Sequence, residues 1–162
     1  MLTEGMKIMN KICCFAGHSK IDNSDLVYKK LIEVIEKLII EENIKSFQVG
    51  NYGAFDNLAI KALNELKQKY DIKTELVIPY LTKEINENKE EYYRNYDSIT
   101  IADIPLSTPQ KLRIIKCNEY MISSCSYLIC YIKYPWGGAA KTLNFAKSRG
   151  NIKILNLLIS SS

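Results

Sequence analysis

Short apolar runs, each followed by a stretch of helical apolar spacing, recur along this chain, and that alternation admits few folds. Lys11 to Phe15 (KICCF) is apolar and ends at Ala16-Gly17, which predicts a buried strand and then a turn. From Asp25 to Glu42 the residues Leu26, Val27, Leu31, Val34, Ile35, Leu38 and Ile39 recur at three- and four-residue spacing, with Asn23 or Ser24 available as N-cap, so an amphipathic helix is expected there. Ser46 to Val49 predicts a second strand, broken by Gly50 and Gly53, and Asp56 to Lys69 a second helix through Leu58, Ala59, Ala62, Leu63 and Leu66. Thr74 to Ile78 predicts a third strand, stopped by Pro79. Strands that alternate with helices pair in parallel, because each helix returns the chain to the same end of the sheet. The expected fold class is therefore α/β: a doubly wound, mainly parallel sheet with helices on both faces and right-handed crossovers.

Downstream, Leu81 to Tyr96 is rich in Glu, Lys, Asn and Tyr and reads as an irregular, mobile flap, and Ser98 to Ala102 (SITIA) as a further strand ahead of Pro105 and Pro109. Gln110 to Ser123 predicts a helix, Tyr127 to Ile132 a buried strand, Ala139 to Arg149 a helix and Ile152 to Leu158 the last strand. At 162 residues and 47% apolar content the chain has the size and core of one domain, which divides into an N-terminal arm over 1–10 and a single α/β domain over 11–162. Its 22 basic and 18 acidic residues are spread without a dense basic stripe, which argues against nucleic acid as a partner. No segment reaches the roughly 18 apolar residues of a membrane span, so a cytoplasmic location with no membrane partner is expected. The five cysteines lie mostly in apolar runs and contain no C-x-x-C pair, which predicts reduced core thiols, no metal site and no cofactor.

Three strand-to-helix turns carry glycine: Gly17 with His18 and Ser19, Gly50 to Gly53 (GNYG, with Asn51), and Gly137-Gly138 after Trp136. In a parallel sheet such turns share one edge, where helix N-termini present unpaired N–H groups and a partial positive charge to anions. Glycine lets a phosphate approach backbone without a Cβ in the way, although a turn glycine often serves the turn alone. Neither G-x-G-x-x-G nor G-x-x-x-x-G-K-[ST] occurs, so those two phosphate fingerprints are not supported.

Four segments, CCFAGHS (Cys13 to Ser19), FQVGNYGAFDNLAIKAL (Phe47 to Leu63), RIIKCNEYMISSCSYLICY (Arg113 to Tyr131) and WGGAAKTLNFAKSRG (Trp136 to Gly150), carry a resemblance that covers nearly the whole chain. In order and spacing they resemble the SLOG superfamily of Rossmann-like proteins, particularly its YpsA/YspA-like branch, alongside the lonely-guy phosphoribohydrolases and DprA-like proteins. The resemblance implies binding of nucleotide-derived ligands, including ADP-ribose-like signals in bacterial conflict systems, and in the enzymatic branch cleavage of N-glycosidic bonds. It also implies a homo-oligomer. Relatives often have Gly-His-Arg where this chain has Gly17-His18-Ser19, and Gly-Gly-Thr where it has Gly137-Gly138-Ala139. Lonely-guy enzymes follow the double glycine with a glutamate, whereas Ala139 to Phe145 contains no carboxylate. Cleaving a ribosyl bond generally needs a carboxylate, so a protein that senses or sequesters a phosphate-containing nucleotide-like molecule is expected over a hydrolase.

The carboxylates left for catalysis are Asp56, Glu119 and Asp103; Asp56 stands in the first turn of its helix, where it also simply complements the helix dipole. His18, the only histidine, is a candidate phosphate donor or acid/base, or a structural turn residue. Ser19 has a ligand or a local turn bond open to it. Arg113 is a candidate phosphate clamp or a solvated helix charge, and Asn118 orients a ribose or water or stays a surface amide. Trp136 stacks on a base or packs in an interface. Tyr92, Tyr93 and Tyr96 form a lid or a dimer contact. Two other functions remain open: an N-glycosidic hydrolase or transferase using Asp56 or Glu119 with His18 or Arg113, and a regulatory module whose working surface is the tyrosine-rich segment.

Overall fold

The computed structural model describes residues 11–160, so the expected arm over 1–10 lies outside the described residues. Its elements run β1 (Ile12–Gly17), α1 (Ser24–Glu42), β2 (Ser46–Val49), α2 (Ala54–Leu66), β3 (Lys73–Ile78), α3 (Lys83–Glu87), α4 (Lys89–Asn95), β4 (Ser98–Ile101), α5 (Gln110–Ser124), β5 (Tyr127–Tyr131), α6 (Gly137–Arg149), β6 (Lys153–Asn156) and a closing 3-10 turn (Leu157–Ser160). The sheet has strand order β4-β3-β2-β1-β5-β6, and every pairing is parallel. From β1 the chain steps outward through β2 and β3 to β4, then returns by α5 to β5 on the opposite side of β1. Connections therefore leave β1 and β5 in opposite directions, which opens a crevice beyond their carboxyl ends.

Period-two alternation along the strands builds two cores. In β1, Cys13 and Phe15 face a cluster made with Leu31 and Ile35 of α1 and Ala59 and Leu63 of α2. Cys14 and Ala16 face the other side, against Cys117 and Met121 of α5 and Ala146 of α6. Helices thus cover both faces, as the doubly wound expectation required. All five cysteines are free and buried.

Several boundaries differ from the sequence expectation. α2 ends at Leu66, not Lys69, and the last strand, expected over Ile152 to Leu158, spans only Lys153–Asn156 before the chain tightens into the 3-10 turn. β1 continues through Gly17, which pairs with Tyr131 instead of starting a turn. α2 starts at Ala54 and α6 at Gly137, each two residues earlier than expected, because the backbone after an N-cap becomes helical whether or not the side chains show apolar spacing. Asn23 stands at the N-cap of α1 without a side-chain cap bond. The segment Leu81 to Tyr96 is not an irregular flap. It forms two short helices, α3 capped by Thr82, whose hydroxyl accepts from the Ile85 N–H at 3.2 Å, with Ile85 and Tyr96 buried against Leu76 and Ile78 of β3. No helix among the described residues is long and apolar enough to cross a membrane.

The contact between β1 and α2 depends on one glycine. A Cβ on Gly17 would stand 2.4 Å from Cγ of the buried Phe55 ring. Gly17→Ala should lower stability by about 1–3 kcal/mol through overpacking, read as a lower urea midpoint. Phe55→Leu in the same chain should recover part of the loss, and an unchanged midpoint for Gly17→Ala would mean that α2 is free to shift.

Candidate functional site

A cavity of about 390 Å³ occupies the crevice beyond β1 and β5, within the range of small-molecule sites. Four parts meet there: the Gly17-His18-Ser19 turn, the start of α2 with Tyr52, Gly53 and Asp56, the α5 residues Ile114, Ile115 and Asn118, and the segment from Tyr134 to Ala139.

Two helix N-termini point into this crevice, and they differ. At α2 the Ala54 N–H donates to the Ser19 carbonyl at 2.9 Å and the Phe55 N–H to the His18 carbonyl at 3.4 Å. Gly53 sits so close to that loop that a Cβ would lie 2.5 Å from Cα of Ser19. The protein itself occupies this helix end. At α6 the N–H groups of Gly137, Gly138 and Ala139 meet no protein acceptor among the described residues, no side chain caps the helix and no acidic residue stands in its first turn. Gly137 has φ +92°, which glycine alone adopts without strain, and a Cβ there would meet nothing within 4 Å. Of the three glycine turns, the last therefore combines a bare helix start with open space for an anion. Asn118 supports it: its amide donates to Thr142 Oγ1 at 3.3 Å, and that hydroxyl donates to the Gly138 carbonyl at 3.1 Å.

An aromatic wall flanks these donors. Trp136 and Tyr134 stack at 5.1 Å between ring centroids, and the tilted His18 ring lies 5.1 Å from Tyr134. Trp136 is 67% exposed and Tyr134 43%, so much of the stack faces solvent. His18 Nε2 accepts from the Lys133 backbone N–H at 2.9 Å, which places the proton of the neutral ring on Nδ1. Burial, and then the Lys133 charge, hold its pKa below the ordinary value. Both effects favour the neutral ring, whose Nδ1–H is then the donor.

Asp56 stands on the α2 side of the cavity. Its Oδ2 accepts from the Tyr52 backbone N–H at 2.9 Å and lies 3.1 Å from where a Gly50 Cβ would be, so it closes the GNYG turn. Burial pushes its carboxyl up to about 6, against the opposing effect of that hydrogen bond.

Other expected site residues lie elsewhere. Arg113 donates to the Leu106 carbonyl at 3.1 Å and sits over the Tyr80 ring, away from the cavity, because α5 turns that face toward the loop after β4. Glu119 pairs with Lys116 one turn back on the same helix at 3.4 Å and is outside the cavity lining. Asn51 points with Tyr92 and Tyr96 into a separate groove between α2 and α4. Tyr96 is core, Tyr92 stacks on it, and Tyr93 alone of the three is exposed, so they do not form one aromatic group over the cavity. Tyr52, Ile114, Ile115 and Tyr134 also line the cavity; Tyr52 and Tyr134 carry no sequence signal beyond their nearness to glycines, and Ile114 and Ile115 none.

Fold and cavity together define a Rossmann-like α/β protein with a pocket at the switch point of its sheet. No family model and no curated protein matches the chain. Among solved structures, the X-ray structure of DNA processing protein A (DprA) from Streptococcus pneumoniae is similar, with a TM-score of 0.64 at 18% sequence identity. The match covers 90% of this chain and 49% of that one, so the chain spans about half the length of this structural relative. The likeness is one of fold.

The Asp56 environment has a pH signature. With its pKa raised above the unfolded value near 3.8, the folded chain holds this proton more tightly, so this group's contribution falls as pH rises from about 4 to 6 and then levels off. Asp56→Asn, which keeps an acceptor for Tyr52, should therefore be more stable than the parent above pH 7 by on the order of 2 kcal/mol, with the gap narrowing toward pH 4. Urea midpoints measured at pH 4, 6 and 8 check this, and a gap that does not change with pH would refute it.

Proposed function

We propose that this chain binds a nucleotide-derived, phosphate-containing small molecule, with a phosphate on the N-terminus of α6 and the base against Trp136 and Tyr134. The observation that carries this reading is the free run of N–H groups at Gly137, Gly138 and Ala139, opening onto a cavity whose wall is an exposed aromatic stack. An anion there gains hydrogen bonds and the helix field, and a planar base gains stacking on surfaces that otherwise face water. The Nδ1–H of His18, beside Tyr134, adds a donor. This is the ligand class expected of the YpsA/YspA-like branch of the SLOG superfamily, with sensing or sequestration of an ADP-ribose-like or cyclic nucleotide signal as the activity.

Asp56 favours a second reading, an N-glycosidic hydrolase. A carboxyl near 6 is in the range of a general acid/base. Its hydrogen bond to Tyr52 gives it a structural task, and Ala139 to Phe145 supplies no second carboxylate, so binding without turnover is the favoured function.

A thermal-shift screen with AMP, ADP-ribose, cyclic ADP-ribose isomers, cyclic dinucleotides and NAD tests both. Ligand at 100 times its Kd should add roughly 2.7 kcal/mol and raise Tm by about 5–10 °C. Gly138→Asp should abolish the shift while leaving the unliganded Tm nearly unchanged, because the nearest atom to the new Cβ is Ile115 Cγ1 at 3.9 Å. A shift that survives Gly138→Asp would remove the phosphate from α6. Release of free base by the parent chain but not by Asp56→Asn would establish the hydrolase instead.

A further inference from the structure

After Glu119 the sequence contains five basic side chains and no acidic one, while the whole chain is only +4, so residues 1–119 carry a net −1. The fold gathers part of that excess beside the candidate site. A groove of about 290 Å³ runs between the loop after β5 and one side of α6, its lining including Lys133, Tyr134, Ala140, Asn144 and Lys147. Tyr134 belongs to both cavities and is the wall between them. Lys147 has no ion-pair partner among the described residues. Lys133 has a single weak one, Asp22 at 3.6 Å, whose side chain is 87% exposed. The Lys133 Nζ lies 5.5 Å from the centre of the Tyr134 ring.

We propose that this groove holds a second anionic group of the same ligand, so that the molecule is a nucleoside 5′-phosphate carrying a further phosphate beyond its ribose. This rests on the phosphate reading of the α6 N-terminus. Ala140 and Asn144 stand one to two turns along α6, roughly 5–10 Å down its axis from Gly137. Lysine side chains on a helix lean toward its N-terminus, which carries the Lys147 ammonium back over Asn144 toward Tyr134. An anion there is separated from the first by about the breadth of a sugar, too far for the adjacent phosphates of a diphosphate. Asn144 adds a neutral donor, and the two ammonium groups supply the charge. The same chemistry is offered by a free nucleoside 3′,5′-bisphosphate and by the 5′-phosphorylated end of an oligonucleotide.

Calorimetric titration of the full chain with the four ribonucleoside 5′-monophosphates, the matching 3′,5′-bisphosphates and 5′-phosphorylated dinucleotides tests this. One bisphosphate should bind about tenfold more tightly than its monophosphate, the gain of one charge-assisted contact. Lys147→Glu should erase that advantage and leave the monophosphate Kd within about twofold, whereas Lys153→Glu, an equal charge change on exposed β6, should leave the advantage intact. A dinucleotide as tight as the bisphosphate supports the site with an oligonucleotide end as its source; a weaker one supports it with the free bisphosphate. Monophosphate binding without a bisphosphate advantage, or an advantage that survives Lys147→Glu, overturns this inference alone and leaves Lys147 as a partner of its own helix end. Absence of binding by every compound overturns this inference together with the phosphate reading.

Discussion

The tight joint between the end of β1 and the start of α2 governs the rest of the crevice. Gly17 lies against Phe55 and Gly53 against Ser19, at separations that no Cβ allows. The carbonyls of His18 and Ser19 take the first N–H groups of α2. Because that helix end is closed by the chain itself, the β1 loop is fixed as a wall and not as an anion cradle. The first turn of α6, by contrast, is left bare. Two glycine turns thus serve close packing, and the third stands open.

The strand and helix alternation was legible because the apolar spacing in α1, α2 and the strands serves burial on two sheet faces, and burial writes itself into sequence period. Leu31 and Ile35 belong to one face of one helix, and Cys13 and Cys14 to opposite faces of one strand. The segment around α3 and α4 was not legible for the same reason. Only Ile85 and Tyr96 bury fully there, eleven positions apart, so no period can form. Its helices depend on the Thr82 cap and on packing against β3.

At the site, composition located the glycines but not their different tasks. Gly17 and Gly137 look alike in sequence, and only three-dimensional neighbours separate a glycine facing a phenyl ring from one facing open space. Arg113 and Glu119 were reasonable expectations from their helix, but side-chain direction on α5 is set by rotation about its axis. That rotation places Ile115 and Asn118 toward the crevice. The clustering of positive charge was hidden by near balance over the whole chain, because the acidic residues all precede Tyr120.

Asn156, at the end of the edge strand β6, donates to the Ile132 carbonyl at 3.0 Å and accepts from its N–H at 3.3 Å and from the Leu158 N–H at 3.2 Å. One side chain thereby does the work of an additional strand residue and holds the chain just where it leaves β5 for Lys133 and Tyr134. The root of the aromatic wall is consequently set when the protein folds. The conformational entropy that a loose loop would surrender on meeting a ligand is, at this root, surrendered in advance. This end of the crevice is thus a surface already in place.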